Sequence, residues 1–311
     1  MLEQYPRIGK MANFFESTAL GIGGKPKEVY WGDVTNFKGN QACIDFYWEH
    51  RRQRGVFDNH FFSSIPYILE EECRLGARIL EYLLKRGSGY LYTLGTAEAT
   101  MARTIGELGM GKIKTFSCTP TSANMISFNR LGVPKNSFLH IAPFYKIDIS
   151  HIKKYLPAFN GFDIIVEDTT FQMYSNNRAK QIEFVKKKLK SDGIICFIEK
   201  FNCESKNEYF LRENNKDTNF KTGYFDSDEI MKKRREVLET MDDGQVTLKE
   251  FANCLQKYFK SAAIIWNSTN FYSIIASDSK TNFLDFVSGM PSAFIPKEFC
   301  YLEKLPVFIL E

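Results

Sequence analysis

This 311-residue chain has few histidines and no long apolar runs, and each scarcity closes off a class of answer. His50, His60, His140 and His151 are its four histidines, and they stand at no metal-ligand spacing. No Ser-His-Asp grouping can be assembled from spacing either. The seven cysteines, Cys43, Cys73, Cys118, Cys196, Cys203, Cys254 and Cys300, are scattered, odd in number and free of CxxC pairs, which predicts a reduced, cytoplasmic setting. No run of about 18 apolar residues occurs, and the first residues show no apolar core with a cleavage site, so membrane insertion and secretion are not expected. A one-signed charge is missing too. Lys and Arg total 41 against 37 Asp and Glu, so charge alone indicates no nucleic-acid or membrane surface. With 44% hydrophobic and 25% charged residues, the chain suits one large globular domain with additions or two modest ones.

Two glycine motifs are weaker than they look. Gly21-Ile22-Gly23-Gly24 has no preceding strand and no following Lys-Ser/Thr, so a phosphate loop is not indicated. The segment around Asp242-Asp243-Gly244 echoes a calcium loop, but Met241 falls on a ligand position, so it reads as a turn between helices and no metal is expected.

What is present is a strand-helix-strand unit over residues 162–201. Asp163-Ile164-Ile165-Val166 and Gly193-Ile194-Ile195-Cys196-Phe197-Ile198 are apolar runs of the kind covered on both faces. Between them Ile182, Val185 and Leu189 form a helical stripe, with Lys186, Lys187, Lys188 and Lys190 left for water. This is a parallel crossover, and it places Glu167-Asp168-Thr169-Thr170 at the carboxyl end of its first strand, where open α/β sheets bind ligands.

Upstream, Ile68 to Leu84 reads as an amphipathic helix, followed by strands at Tyr90–Leu94, Lys112–Ser117 and Ser137–Ile141. Helices are expected to Leu108, from Thr119-Pro120 to Leu131, and from Asp148 to Leu156. Residues 202–224 are a long polar stretch, followed by helices at about 227–240 and 246–259. The runs AAIIW and FYSIIAS flank Asn267-Ser268-Thr269-Asn270 as a hairpin. Residues 1–60 show no clear period. Within them the arginines Arg51, Arg52 and Arg54 among aromatics admit single-stranded nucleic acid, but a half-buried helix with a solvated edge is the preferred reading, so a nucleic-acid partner is unlikely.

Several segments together carry a family resemblance: Tyr92-x-Leu94-Gly95, Thr170-x-Gln172, Glu199-Lys200-Phe201, and Gly223-Tyr224 followed by Glu229-Ile230-x-x-Lys233-Arg234 and Met241. On these the chain resembles class I S-adenosylmethionine-dependent methyltransferases, and within them the carboxy-S-adenosylmethionine synthases, over about Ile65 to Ser277. The resemblance implies an α/β fold with a Rossmann-like, seven-stranded methyltransferase sheet, its last strand antiparallel and helices on both faces. It divides the chain into an N-terminal extension (1–60), a cofactor-binding domain (61–280, with a helical lid at about 202–260) and an apolar C-terminal arm (281–311).

The implied cofactor is S-adenosyl-L-methionine or its carboxylated form, with an unnamed acceptor. Carried over by position, Gly95-Thr96 lies against the methionine part, Tyr67 contacts the cofactor, Asp168 stands beside the sulfonium with Thr169 following, and Arg234 pairs with the added carboxylate. Asp168, Glu199 and Tyr224 are the expected lining of the transfer site. The cofactor motifs also depart from the family. Thr93 replaces an acid in the first loop, and Ser117-Cys118 stands where an acid would grip the ribose, leaving Glu98 to supply the missing charge. These departures motivate the competing reading, a methyltransferase-fold binding or scaffold protein that has lost its cofactor. The apolar arm would cover the core or dock on a second subunit in a homodimer.

Overall fold

The structure is a computed structural model that describes residues 7–130, 132 and 135–310, with the side chains of residues 7–10 left aside. Helices α1 (Arg7–Ala19), α2 (Gln41–Gln53), α3 (Val56–Phe62) and α4 (Ile68–Lys85) precede the first strand. Then β1 (Gly89–Leu94), α5 (Thr100–Leu108), β2 (Ile113–Thr119), α6 (Ser122–Arg130), β3 (Ser137–Ile141), α7 (Ile149–Lys153), β4 (Phe162–Asp168), α8 (Arg178–Lys186) and β5 (Leu189–Lys200) alternate. After them come α9 (Lys206–Asn219), α10 (Ser227–Lys233), a π-helical turn (Arg234–Leu238), α11 (Glu239–Asp242) and α12 (Leu248–Tyr258). The chain closes with β6 (Ser261–Ser268), β7 (Phe271–Ser277), α13 (Lys280–Ser288) and β8 (Val307–Leu310).

One eight-stranded sheet runs in the order β3-β2-β1-β4-β5-β7-β6-β8. The first five strands are parallel, and β7 lies antiparallel between β5 and β6. Seven strands were expected. The eighth, β8, comes from the apolar arm and pairs antiparallel with β6 through Ala263↔Phe308 and Ile264↔Val307.

Alternation along the strands explains the layering. Leu91, Ile164, Val166, Ile194, Cys196 and Ile198 point into one buried cluster, which continues through Phe46, Leu75 and Ile79 of the preceding helices to Phe286 and Phe294 of the arm. Tyr92, Phe116, Ile165, Ile195 and Phe197 point into a second cluster with Ile182, Phe251 and Leu255. Both faces of the sheet are therefore covered, as the continuous β-branched runs require.

Five local expectations are corrected. Residues 1–60 are helical wherever the structure describes them, apart from loops, and α2 packs on α4 with Phe46 fully buried. Arg54 is not solvated: it is buried over the rings of Trp31 and Phe62 at 4.9 and 4.7 Å and donates to the Tyr30 carbonyl at 2.8 Å. Leu189 belongs to β5 rather than to α8, so β5 starts four residues earlier than its apolar run suggests. Neither Lys188 nor Lys190 is left for water, since Lys188 lies buried over Phe184 and Lys190 pairs with Asp163 at 2.7 Å. The polar stretch 202–224 holds the fourteen-residue helix α9, and Leu131, the expected end of α6, lies outside the described residues.

Candidate active site at the strand ends

β1 lies between β2 and β4, so the strand order reverses there and opens a crevice above their carboxyl ends. A cavity of about 180 Å³ fills that crevice. Its floor is residues 93–97 after β1, Pro120 and Thr121 after β2, and residues 168–170 after β4. Phe14 and Phe15 of α1, Phe57 and His60 of α3, and Val237, Leu238 and Met241 beyond α10 close over it.

Local chemistry shapes this floor. Glu167, buried under the turn after β4, accepts from the backbone N–H groups of Thr170 at 2.6 Å and Phe171 at 2.9 Å. That grip holds Thr169 at φ 48°, a left-handed conformation unusual for a threonine. The hydroxyl of Thr170 donates toward the Leu94 and Asp168 carbonyls, both at 3.0 Å, tying the two loops together. Gly95 needs to be glycine twice over: its φ is +55°, and a Cβ there would stand 2.5 Å from the Thr170 side chain. At the rim, Gly244 approaches the turn so closely that a Cβ would lie 2.2 Å from the Gln172 carbonyl oxygen. The glycine of the apparent calcium loop is thus explained by packing.

The cavity is acidic at one end. Asp58, Glu72 and Asp168 line it together. Burial, then the proximity of Glu72, pushes the Asp168 carboxyl well above its ordinary range. Burial and then Asp58 do the same to Glu72, which also meets His50 Nε2 at 3.2 Å. Three buried acceptor oxygens on the wall, Asp168 Oδ1, Asn124 Oδ1 and Gln172 Oε1, find no hydrogen-bond donor among the described residues. Asn124 is oriented by its own amide, which donates to Thr119 Oγ1 at 2.6 Å.

The expected site residues divide into two groups. Thr93, Gly95, Thr96, Asp168 and Thr169 line the cavity together. Thr93 Oγ1 and Ser117 Oγ are 2.7 Å apart and satisfy one another. Cys118 is buried behind the loop, its Sγ 3.1 Å from the Tyr92 hydroxyl and 3.5 Å from Gly95 N. Glu98 turns away: its carboxylate accepts from Phe57 N at 2.9 Å and Asp58 N at 3.1 Å and so caps α3.

The remaining four lie off the cavity wall. Tyr67, at φ 60°, precedes α4 and sits among Tyr30, Phe220 and Phe299. Tyr224 stacks edge-on against Tyr30 and tilts against Phe220. Glu199 is fully buried and paired with Arg178. Arg234 is held by Asp217 at 2.5 Å. Sequence reasoning did not assign to the site Asp58, Glu72, Asn124 and the lysines Lys200, Lys216, Lys221 and Lys233, which also line the cavity. One signal was available for Glu72: Glu70-Glu71-Glu72 are consecutive acids in an otherwise core-facing helix, and all three are buried.

Neither a protein-family model nor any curated protein matches the sequence. Among solved structures, the chain is similar to the plantazolicin methyltransferase BpumL in complex with SAH, at 10% identity over 88% of this chain and 99% of that one, with a TM-score of 0.48. It is also similar to the mitomycin 7-O-methyltransferase MmcR, at 8% identity over 89% and 69% with a TM-score of 0.45. A SAM-dependent methyltransferase from Aquifex aeolicus shares 16% identity over 65% and 91%, with a TM-score of 0.39. Values this low carry no argument about the fold or the site. Among the described residues, no helix is long and apolar enough to cross a membrane.

Proposed function

We propose that the chain is a class I methyltransferase that binds S-adenosylmethionine in the switch-point cavity. The observation that supports this is the set of buried acceptors without donors, Asp168 Oδ1, Asn124 Oδ1 and Gln172 Oε1, on a crevice walled by the β1 and β4 loops. Burying an unpaired acceptor costs about 1–3 kcal/mol, so three on one wall suit a ligand rich in donors and positive charge. When bound, S-adenosylmethionine supplies an activated methyl group on a sulfonium, along with ammonium, amine and hydroxyl donors. The chain's own part is alignment, exclusion of water and charge complementarity. Asp168 and Glu72 supply negative charge once a cationic ligand displaces their protons, while Phe14, Phe57 and Met241 line the cavity with apolar surface that shuts out solvent.

Isothermal titration with S-adenosylmethionine, its demethylated product and the carboxylated form tests this reading. Saturable heat is expected with the first two. The carboxylated form is expected to gain no advantage, because Arg234 is already engaged by Asp217. No heat with any of the three would overturn the proposal. Asp168→Asn replaces a charged acceptor by a neutral one and should weaken the cofactor by about tenfold. Affinity should also depend on pH. The Asp168 and Glu72 carboxyls are raised by burial and by neighbouring acids, so they retain protons that a cationic ligand would displace. Binding should therefore strengthen as pH rises, with proton release visible as a dependence of the heat on the buffer's ionisation enthalpy.

One observation favours the second reading, a binding protein that has lost the cofactor. Thr93 and Ser117, where the resemblance places acids, are hydrogen-bonded to each other, and Glu98 is consumed as a helix cap. The titration separates the two readings.

A further inference from the structure

The same cavity carries a cluster of lysines that have few carboxylates at ion-pair distance. Lys200, Lys216, Lys221 and Lys233 all line the cavity. Three of them are buried: Lys200 at 1% exposure, Lys216 at 3% and Lys221 at 2%. Lys200 and Lys216 share Glu213, at 2.9 and 2.6 Å. Lys221 and Arg234 share Asp217, at 3.0 and 2.5 Å. Asp242 reaches Lys200 only at 3.9 Å and already accepts from the Tyr209 hydroxyl at 2.7 Å. Lys233 has no carboxylate within ion-pair distance among the described residues; its amine meets His60 Nε2 at 2.5 Å and Ser64 Oγ at 3.1 Å. Lys200, Lys216, Lys221 and Arg234 thus divide two close carboxylates, Glu213 and Asp217, and Lys233 has none among the described residues.

Such an excess is costly unless something anionic completes it. Lys233 is only partly buried as a residue, because it stands where the first cavity meets a second one of about 280 Å³. That second cavity shares His60, Ser64, Lys221 and Lys233 with the first and runs along Gly23 and Gly24 to α10, where Glu229, Lys232 and Glu236 lie on its wall. Burial, and then the other lysines, push the amines down: Lys221 to about 8, and Lys233 well below its ordinary value. An anion between them would reverse that pressure.

We propose that Lys200, Lys216, Lys221 and Lys233 seat an anionic group, a carboxylate or a phosphate, carried by the methyl acceptor, which enters through the second cavity. The acceptor assignment rests on the methyltransferase reading; the anion seat does not. Lys221 and Lys233 line both cavities, whereas Asp168, Asn124 and Gln172, whose unpaired oxygens suit the cofactor's donors, line the first and not the second, which gives the two ligands different approaches.

The test is titration of the full chain with inorganic phosphate and with acetate at fixed ionic strength, with and without saturating S-adenosylmethionine. Lys221→Met, Lys233→Met and the exposed control Lys249→Met are compared. Phosphate or acetate is expected to bind saturably and independently of S-adenosylmethionine, and the first two variants should lose about tenfold in anion affinity while the control loses none. Lys233→Met removes an amine that has no carboxylate partner, so it should keep its melting midpoint and remains informative if Lys221→Met folds poorly. Absence of saturable anion binding, equal affinity in Lys233→Met, or competition between the anion and S-adenosylmethionine would overturn the proposal. If lysine-dependent anion binding persists while S-adenosylmethionine fails to bind, the methyltransferase reading falls, and the acceptor assignment with it, but the anion seat stands.

Discussion

Arg178→Met is expected to lower the stability of the fold by about 3–5 kcal/mol, the range seen when one partner of a buried ion pair is removed. Both partners are sealed, Arg178 at 1% and Glu199 at 0% exposure. The shortest approach, Arg178 Nε to Glu199 Oε1 at 3.3 Å, is charge contact rather than an aligned hydrogen bond; the aligned one runs from Nη2 to Oε2 at 3.4 Å. The same guanidinium donates to the carbonyls of Ser175 at 2.6 Å and Gly244 at 3.0 Å. Its loss would therefore orphan a carboxylate and two backbone acceptors together. The effect should depend on pH with a definite sign. Burial raises the Glu199 carboxyl above its unfolded value, while Arg178 pulls it down. The stability this group contributes is complete below the unfolded value and fades as pH rises through the folded one. Without Arg178 that folded value moves higher still, so the deficit measured by urea unfolding should be smaller at pH 5 than at pH 8. Adding Glu199→Met to Arg178→Met should recover much of the loss. A deficit that is constant with pH and unrelieved by the second change would contradict this account.

The second large effect is expected from Gly76→Ala in the middle of α4. Helix propensity alone would favour alanine by up to about 1 kcal/mol. Packing opposes it, because a Cβ at this position would stand 2.2 Å from the Phe46 ring of α2, and Phe46 is fully buried in the core. Overpacking of this kind typically costs about 1–3 kcal/mol, and here the ring has nowhere to retreat, so the clash should win. The melting temperature should fall, and adding Phe46→Leu should restore part of it. A rise in melting temperature from Gly76→Ala alone would mean that the α2–α4 seam is looser than the structure shows.

What could be read from sequence and what could not follows from how burial is encoded. The crossover at residues 162–200 was legible because Ile164, Ile165, Ile194 and Ile195 are apolar on consecutive positions, and only two-sided burial asks for that. The helix α9 was not, because the face it buries is, apart from Tyr209, charged: Arg212, Glu213, Lys216 and Asp217. Pattern reading takes such residues for a solvated loop, since ion pairs rather than apolar side chains carry the contact. The lysine seat was hidden for the same reason. In residues 1–60, aromatic side chains such as Phe37 and Phe46 fill space between α2, α4 and the arm without a helical period, so the elements did not announce themselves. β8 is four residues long and follows an irregular stretch, too short for its alternation to stand out. Within the site, Gly95, Thr96, Asp168 and Thr169 could be placed because strand ends position them, whereas Glu72 and Asn124 come from helices whose rotation no spacing rule specifies.

The pairing of β8 with β6 also bears on how the molecule behaves in company. A sheet edge is a row of unpaired N–H and C=O groups that will recruit any extended strand it meets. At β6 that row is occupied by the chain's own end, through Ala262↔Leu310, Ala263↔Phe308 and Ile264↔Val307. What faces outward on this flank is a strand of four residues instead of one of eight. The arm thus covers the edge of β6 against strand-by-strand growth of the sheet from one molecule into the next.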